Sequence, residues 1–577
     1  MAPSRNAPCP CGSGKKYKRC CLASGEYENG SGGQPAGNDV VEMAKTALNL
    51  GDTARAARAL EPLLDKTKAS PEVLVLGASV AMRTNEYSRA CELMERAVAA
   101  RPNDANYLYN YGTALSIGGR KTEAVDAFKR ALKFNPDMVI VYPNMGHSLR
   151  DLGRSEEAMA CYTKVFGMRN IDLATMSQIL VSMHLFSRTE HARLFDMHTQ
   201  LAQAIAKANP PMNVTRVPGQ EKKIRIAYLS PRFSREIVGY FFKPLFDHHN
   251  RDRFEIYLYN ITPRTDDLTE YLKERADNWQ EVGKLSDRQV AEHIAADGID
   301  VLVDLAGHAP ENRIGVMARK PAPVQISMLD YFDTTGLATM DYYVTDGFSS
   351  PEDSPQQFTE KLLYLDQPRL VYEAPEYAPE PCFNTSPDNP IVFGSFNRHH
   401  KLVPHVIETW SALLNAVADS RLVLKGKAFG EEDSQAVFLK RFATHGIGPE
   451  RIEFRGVSPH AEMFSEYGDI DLALDTFPYN GGLTTCEALW MGTPVLTLLG
   501  ERIISRQTAG MLASLGLEGF TAKDEADFVR LGQHWSTHRA ELLELRQGLR
   551  ARMAASPLTD AASYTAAFER ELERIIS

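Results

Sequence analysis

The sequence predicts a multidomain chain: a helical repeat solenoid, then two α/β domains with parallel sheets, fronted by a small metal knuckle. Three observations carry this. Residues recur at an interval of 34 through the first third of the chain. Short apolar strands alternate with helices after Pro210. Four of the eight cysteines fall within the first 21 residues.

The bulk numbers suit that reading. At roughly 100–200 residues per domain, 577 residues suggest about three or four units. A hydrophobic content of 44% and a charged content of 24% are ordinary for a soluble globular protein. The net charge of −10 argues against a general nucleic-acid surface. No apolar run approaches the roughly 18 residues of a membrane helix. The polar, basic start MAPSRNAPCPCGSGKK is not a signal peptide, so a cytoplasmic location is expected.

The knuckle is RNAPCPCGSGKKYKRCC. Cys9, Cys11, Cys20 and Cys21 suit a tetrahedral zinc site, and Gly12 and Gly14 allow a tight turn between the ligand pairs. A disulfide pair is the alternative, and a reducing compartment argues against it. The stretch closely resembles the SEC-C motif, which implies a zinc-stabilised docking knob over residues 1–24. Its five basic residues would face an acidic partner or solvent, and that partner is unknown. Cys91, Cys161, Cys382 and Cys486 are expected as small buried residues. A flexible linker follows over residues 25–37.

The repeat is read from Gly51, Asn85, Gly119 and Gly153, and again from Ala56, Ala90, Ala124 and Ala158. Small residues at fixed helical positions let paired helices approach, and the glycine permits the turn. This is the tetratricopeptide pattern. Four repeats are expected over about 38–171, with further helices to 208. Asn110 and Asn144 occupy one position in successive repeats. Their amides would hold the backbone of a protein acceptor, or they are two polar residues on a solvated face.

From 221 to 380 the strands are KIRIAYLS, FEIYLYNI, IDVLVDLAG, PVQISML, YYVTD and KLLYL. From 388 to 577 they are IVFGSFN, RLVLKG, RIEFRG, IDLALDT and PVLTLLG. Two parallel sheets joined by a linker place a ligand cleft at the carboxyl ends of their strands. Neither a dinucleotide fingerprint nor a Walker A loop occurs. Asp469 and Asp471 form a D-x-D that reads better as structural charge than as a metal site. In DTFPYNGGLTTCEALWMGTP, a turn with Gly481 and Gly482 leads into a helix that Thr484 or Thr485 would cap. Such a helix start favours a phosphate, with a plain connector as the alternative.

Together, SPRFS…VGYFF, VDLAGHAPENRIGVMARKPAPVQISML, MDYYVTD, GSFNRHHK and DIDLALDTFPYNGGLTTCEALWMGTPVLTLLGERIISR resemble the O-GlcNAc transferase / SPINDLY family over about residues 38–577. The resemblance implies a GT-B glycosyltransferase that moves a sugar from a nucleotide donor to protein Ser or Thr, with inversion and no catalytic metal. It places Lys401 on the donor phosphates, with Arg398 as a second cation. It places Thr484 and Thr485 at the phosphate turn, Glu487 on the ribose, and His460 at the base.

The departures concern the sugar. Glu236, Met463, Gly482 and Leu483 replace family histidines and a threonine. The sugar loop reads DYFDTTG, with Asp330, Phe332 and Asp333, and Tyr479 fills a position that is small in the animal enzymes. Glu236 is therefore a candidate proton acceptor. The donor is expected to be UDP-GlcNAc-like or a CMP-nonulosonic acid, and flagellin is one acceptor to test. The competing expectation is a scaffold whose GT-B unit has lost catalysis and only recruits partners.

Overall fold

The computed structural model describes residues 37–577, apart from 65–68, 153, 169–171, 187–190, 213 and 215–222, together with Lys16. The four knuckle cysteines lie outside the described residues. Among those residues, no helix is long and apolar enough to cross a membrane.

Two compact units divide the chain. The first covers residues up to Gly118 together with Asp126–Pro136, and the second comprises Gly119–Val125 and Asp137–Ser577. In the first, the helices Gly37–Asn49, Thr53–Leu64, Pro71–Arg83, Tyr87–Ala100 and Ala105–Ile117 are those the 34-residue period predicts. Gly51 and Asn85 turn the chain at positive φ, 78° and 63°, and Gly119 does so at 81°. Only residues that tolerate the left-handed region fit there, which explains the small set at this repeat position. The alanines of the repeat, Ala56, Ala90, Ala124 and Ala158, are all fully buried.

The second unit continues the helical pairing with Val141–Asp151 and Ser155–Phe166, then Leu173–Met183 and His191–Ala208. Two sheets follow. The first joins β1 (Ile224–Ser230), β2 (Phe254–Asn260), β3 (Asn278–Glu281), β4 (Val301–Asp304), β5 (Val324–Ser327), β6 (Tyr342–Asp346) and β7 (Lys361–Leu365). Their spatial order is β3-β2-β1-β4-β5-β6-β7, and every pairing is parallel. The second joins β8 (Val392–Ser395), β9 (Arg421–Lys425), β10 (Ile452–Arg455), β11 (Leu472–Leu474), β12 (Val495–Leu498) and β13 (Thr521–Ala522), again all parallel, in the order β10-β9-β8-β11-β12-β13. In each sheet the order reverses beside the first strand, which opens a crevice there.

Both faces of parallel strands must be covered, so the strands read as near-continuous apolar runs. β1 is buried from Ile226 to Ser230, and β4 and β8 throughout. The last helix, Ala561–Ile576, leaves the second sheet and packs on the first domain. There Glu569 meets His249 at 2.8 Å, Glu573 meets Arg253 at 2.6 Å, and Tyr564 Oη donates to Arg369 O at 3.1 Å.

The D-x-D has a structural role. Asp471 Oδ1 receives Arg546 at 3.1 Å and Arg539 at 2.8 Å, and its Oδ2 accepts from Val392 N. Asp469 pairs with Arg455 at 2.6 Å. Cys91, Cys161 and Cys486 are buried as expected. Cys382 is only half-buried, because its Sγ reaches Ser465 O from the linker rather than from a core.

Candidate active site

β8 and β11 are neighbours, and the loops at their carboxyl ends carry the cluster that the sequence singles out. Lys401 ends a short 3-10 turn, His399–Lys401, just after β8. Its Nζ donates to Asn480 O at 2.7 Å and stands 4.4 Å from the Tyr479 ring centre. Burial pulls its pKa down to about 7; Asp475 opposes this and Arg398 adds to it. The side chain is a cation held among poor partners.

The loop after β11 is pinned from inside. Asp475 Oδ1 accepts from Gly481 N at 2.7 Å and Thr476 N at 2.9 Å, while its Oδ2 accepts from Thr497 Oγ1 at 2.8 Å. Gly481 O accepts from Gln507 Nε2 at 3.0 Å and Thr508 Oγ1 at 3.2 Å. A Cβ at Gly481 would lie 2.6 Å from Thr485 Oγ1 and 3.1 Å from Asp475 Oδ1, so only glycine lets the chain pass.

The helix Leu483–Trp490 opens here, and its cap corrects the expectation. The N-cap is Gly482 with no side-chain cap, not Thr484 or Thr485. Gly482 adopts the non-helical angles (φ −122°, ψ −88°), and the first helical bond runs from Cys486 N to Gly482 O. Both threonines already lie in the first turn. Thr485 Oγ1 faces Thr508 Oγ1 at 3.1 Å in the interior, and Thr484 Oγ1 donates to Asn397 Oδ1 at 3.3 Å.

Glu487 is buried one turn further on. Burial raises its carboxyl pKa and His460 works against that rise. His460 Nε2 lies 2.8 Å from Glu487 Oε1, and its Nδ1 lies 2.8 Å from Tyr377 Oη and 3.1 Å from Tyr240 Oη. Tyr240 belongs to the first α/β domain, so this chain of polar contacts spans the cleft. Val457, three residues before His460, is 76% exposed and leaves that loop open to solvent.

The facing wall comes from the first domain. Arg232 donates from Nε to Asp330 Oδ2 at 3.0 Å and from Nη1 to Glu236 Oε2 at 2.8 Å. Arg264 Nη1 takes the other Glu236 oxygen at 3.1 Å, and its Nη2 binds Glu311 at 2.8 Å. Glu236, the expected proton acceptor, thus carries an arginine on each carboxylate oxygen. Asp330 differs: burial raises its pKa against the opposing pull of Arg232 and Arg398. It also helps to raise the Tyr479 phenol, after burial itself. Arg232 escaped the sequence reading, because it lies in the loop before the helix Ile237–Asp247, where spacing to Glu236 carries no pairing signal.

Of the remaining expected site residues, Arg398 is exposed at the start of the Lys401 turn. Asn110 and Asn144 are half-buried on the helices Ala105–Ile117 and Val141–Asp151, and Asn144 Nδ2 donates to Ile140 O at 3.3 Å.

Residues 188–374 and 383–568 match glycosyl transferase family 41. The chain belongs to glycosyl transferase family 41. Residues 75–139 and 141–172 match tetratricopeptide repeats, and 5–23 the SEC-C motif. Among family 41 relatives, the probable UDP-N-acetylglucosamine–peptide N-acetylglucosaminyltransferase SPINDLY of Oryza sativa subsp. japonica is 32% identical over 65% of this chain and 41% of its own. The SPINDLY protein of Arabidopsis thaliana is 31% identical over 68% and 43%. This chain thus spans about two fifths of the curated relatives it matches. A solved mutant O-GlcNAc transferase from Thermobaculum terrenum superposes with a TM-score of 0.76 at 29% identity, covering 93% of this chain and 97% of that one. The two parallel sheets after the helical repeats are therefore the GT-B arrangement of family 41.

Proposed function

We propose that this family 41 protein is an O-glycosyltransferase. It transfers a sugar from a nucleotide donor to a Ser or Thr hydroxyl of a protein held by its repeats. The observation that carries the reading is Lys401, a half-buried ammonium that meets a neutral carbonyl and an aromatic face at the turn Tyr479–Thr485. A donor phosphate entering there would supply the missing counter-charge. As the glycosidic bond breaks, the leaving nucleotide gains negative charge, and Lys401 stabilises it without a metal. Arg398 reinforces it, Gly481, Gly482, Thr484 and Thr485 form the turn, Glu487 binds the ribose, and His460 borders the base.

Asp330 is the proton acceptor in this proposal. Arg232 holds one of its oxygens and burial weakens its acidity, which suits it to take a hydroxyl proton, whereas Glu236 has an arginine on each oxygen. Attack on the face opposite the nucleotide inverts the anomeric centre. Tyr479, Phe332 and Asp330 differ from the family's residues on the sugar side, so the donor is UDP-GlcNAc-like or a CMP-nonulosonic acid. Asn110 and Asn144 would hold the acceptor backbone. Zinc in the SEC-C motif would fold the docking knob.

The scaffold reading keeps one supporting observation, the closure of Glu236 in ion pairs. Calorimetry with UDP-GlcNAc and a CMP-nonulosonate separates the two readings, because a pure scaffold binds neither at millimolar concentration. Intact mass spectrometry of flagellin and other acceptors, from cells with and without the gene, then reads the added sugar. Full transfer by Lys401→Met would sink the assignment of that lysine.

A further inference from the structure

Behind the sugar-side loop lies a second cluster that the proposed transfer does not use. His184 follows the helix Leu173–Met183, His198 lies in the helix His191–Ala208, and Asp333 sits in the loop after β5. All three are buried, with His184 and His198 at 0% exposure and Asp333 at 4%. One ligand atom from each falls within 4.8 Å of the other two.

Of the three, His184 is the one whose polar atoms are unmet. His198 Nδ1 donates to Leu194 O at 2.7 Å, which fixes the tautomer and makes Nε2 the acceptor from Tyr331 Oη at 2.5 Å, an electron pair that a metal would take over from the phenol. Asp333 Oδ1 accepts from Thr334 N at 2.8 Å, and its Oδ2 faces His184 Nε2 at 3.5 Å, too far for a hydrogen bond. Neither ring nitrogen of His184 has a hydrogen-bond partner. A buried imidazole with both nitrogens unmet is costly, and each such group needs an explanation. By contrast, nearby His308 is satisfied on both sides, by Ser177 Oγ at 3.0 Å and Thr335 O at 2.9 Å.

We infer that His184, His198 and Asp333 bind one divalent ion of the zinc class, as a structural site distinct from the SEC-C cysteines. Two imidazoles and a carboxylate are ordinary zinc ligands, and ligand atoms about 3.3 Å apart are what tetrahedral bonds of ~2.0–2.1 Å require. The His184–Asp333 pair already stands near that spacing. The Leu194 carbonyl and the Thr334 amide orient the other two ligands from behind, as outer partners of metal ligands do. The ion ties the helices that precede the first sheet to the loop 330–336. Phe332 of that loop packs edge-on against both His184 and Tyr479, at 4.7 and 5.0 Å between ring centres. The site therefore sets the position of the sugar-side wall and takes no part in bond breaking.

The test uses the full chain expressed with added zinc, carrying Cys9, Cys11, Cys20 and Cys21 all changed to Ser so that the knuckle contributes no metal. Metal content by plasma mass spectrometry should be about one zinc per chain, and should fall at least five-fold in His184→Gln and in Asp333→Asn. The cobalt-loaded serine variant should show visible d–d bands without a thiolate charge-transfer band. Should His184→Gln fail to fold, the cobalt spectrum and a fall in melting temperature on chelation still decide the matter. Absence of bound metal from the serine variant, or zinc content unchanged in both His184→Gln and Asp333→Asn, overturns the proposal.

Discussion

His460 Nε2 stands 2.8 Å from Glu487 Oε1, joining the residue expected at the base to the residue expected at the ribose. Without donor, the carboxylate that should receive ribose hydroxyls is held by an imidazole. Glu487→Gln keeps the shape and removes the charge. Hydrogen bonds to a charged group contribute about 1.5–3 kcal/mol, so nucleotide affinity should fall roughly 10-fold or more. Titration calorimetry with UDP and CMP checks this; an unchanged affinity removes Glu487 from the site.

Lys401 gives the binding reaction a pH dependence. In the free protein its pKa is lowered to about 7, and a bound phosphate raises it again. Below pH 7 the ammonium is already present, so affinity is flat. Above pH 7 binding must take up a proton, and affinity should fall by up to about ten-fold per unit. Calorimetry with UDP-GlcNAc, whose phosphates do not titrate in this range, should show that uptake in buffers of differing ionisation heat. Lys401→Met should abolish both the slope and the uptake.

The two carboxylates of the first domain make opposite predictions. If Asp330 accepts the hydroxyl proton, Asp330→Asn should lower kcat by about 10²–10⁴-fold with donor binding little changed. Glu236→Gln releases two arginines and should act mainly on KM for the acceptor. Steady-state kinetics on one acceptor peptide separates them. A larger kcat loss in Glu236→Gln would return the role to that residue.

Gly481 should tolerate no side chain. A methyl group there would meet Thr485 Oγ1 at 2.6 Å, inside a turn whose amide and carbonyl are both fixed. Gly481→Ala should weaken donor binding at least ten-fold while costing the fold about 1–3 kcal/mol. Comparing the melting temperature with the dissociation constant for UDP tests this, since a merely structural turn would lose stability without a change in affinity.

Much of this architecture was legible in the residues. Where strands are buried on both faces, as β1 and β8 are, apolar runs give them away. Two of the edge strands were missed for the converse reason: β3 reads NWQE and is nowhere fully buried, and β13 has two residues. In the candidate site, the turn from Tyr479 to Glu487 followed from its glycines and helix signal. Its cap did not, because a hydroxyl residue one position inside a helix and one at its boundary look alike in sequence. Glu236 illustrates the same limit. Its partner Arg264 is 28 residues away, and only tertiary structure could bring that guanidinium to its carboxylate.

The last helix has a consequence for biosynthesis. Residues 561–576 contribute Tyr564, Glu569 and Glu573 to a domain whose own first strand begins at Ile224. During translation that domain must wait, its surface around His249 and Arg253 uncovered, until more than three hundred further residues have left the ribosome. The second α/β domain is thus made in the interval between the two parts of its neighbour.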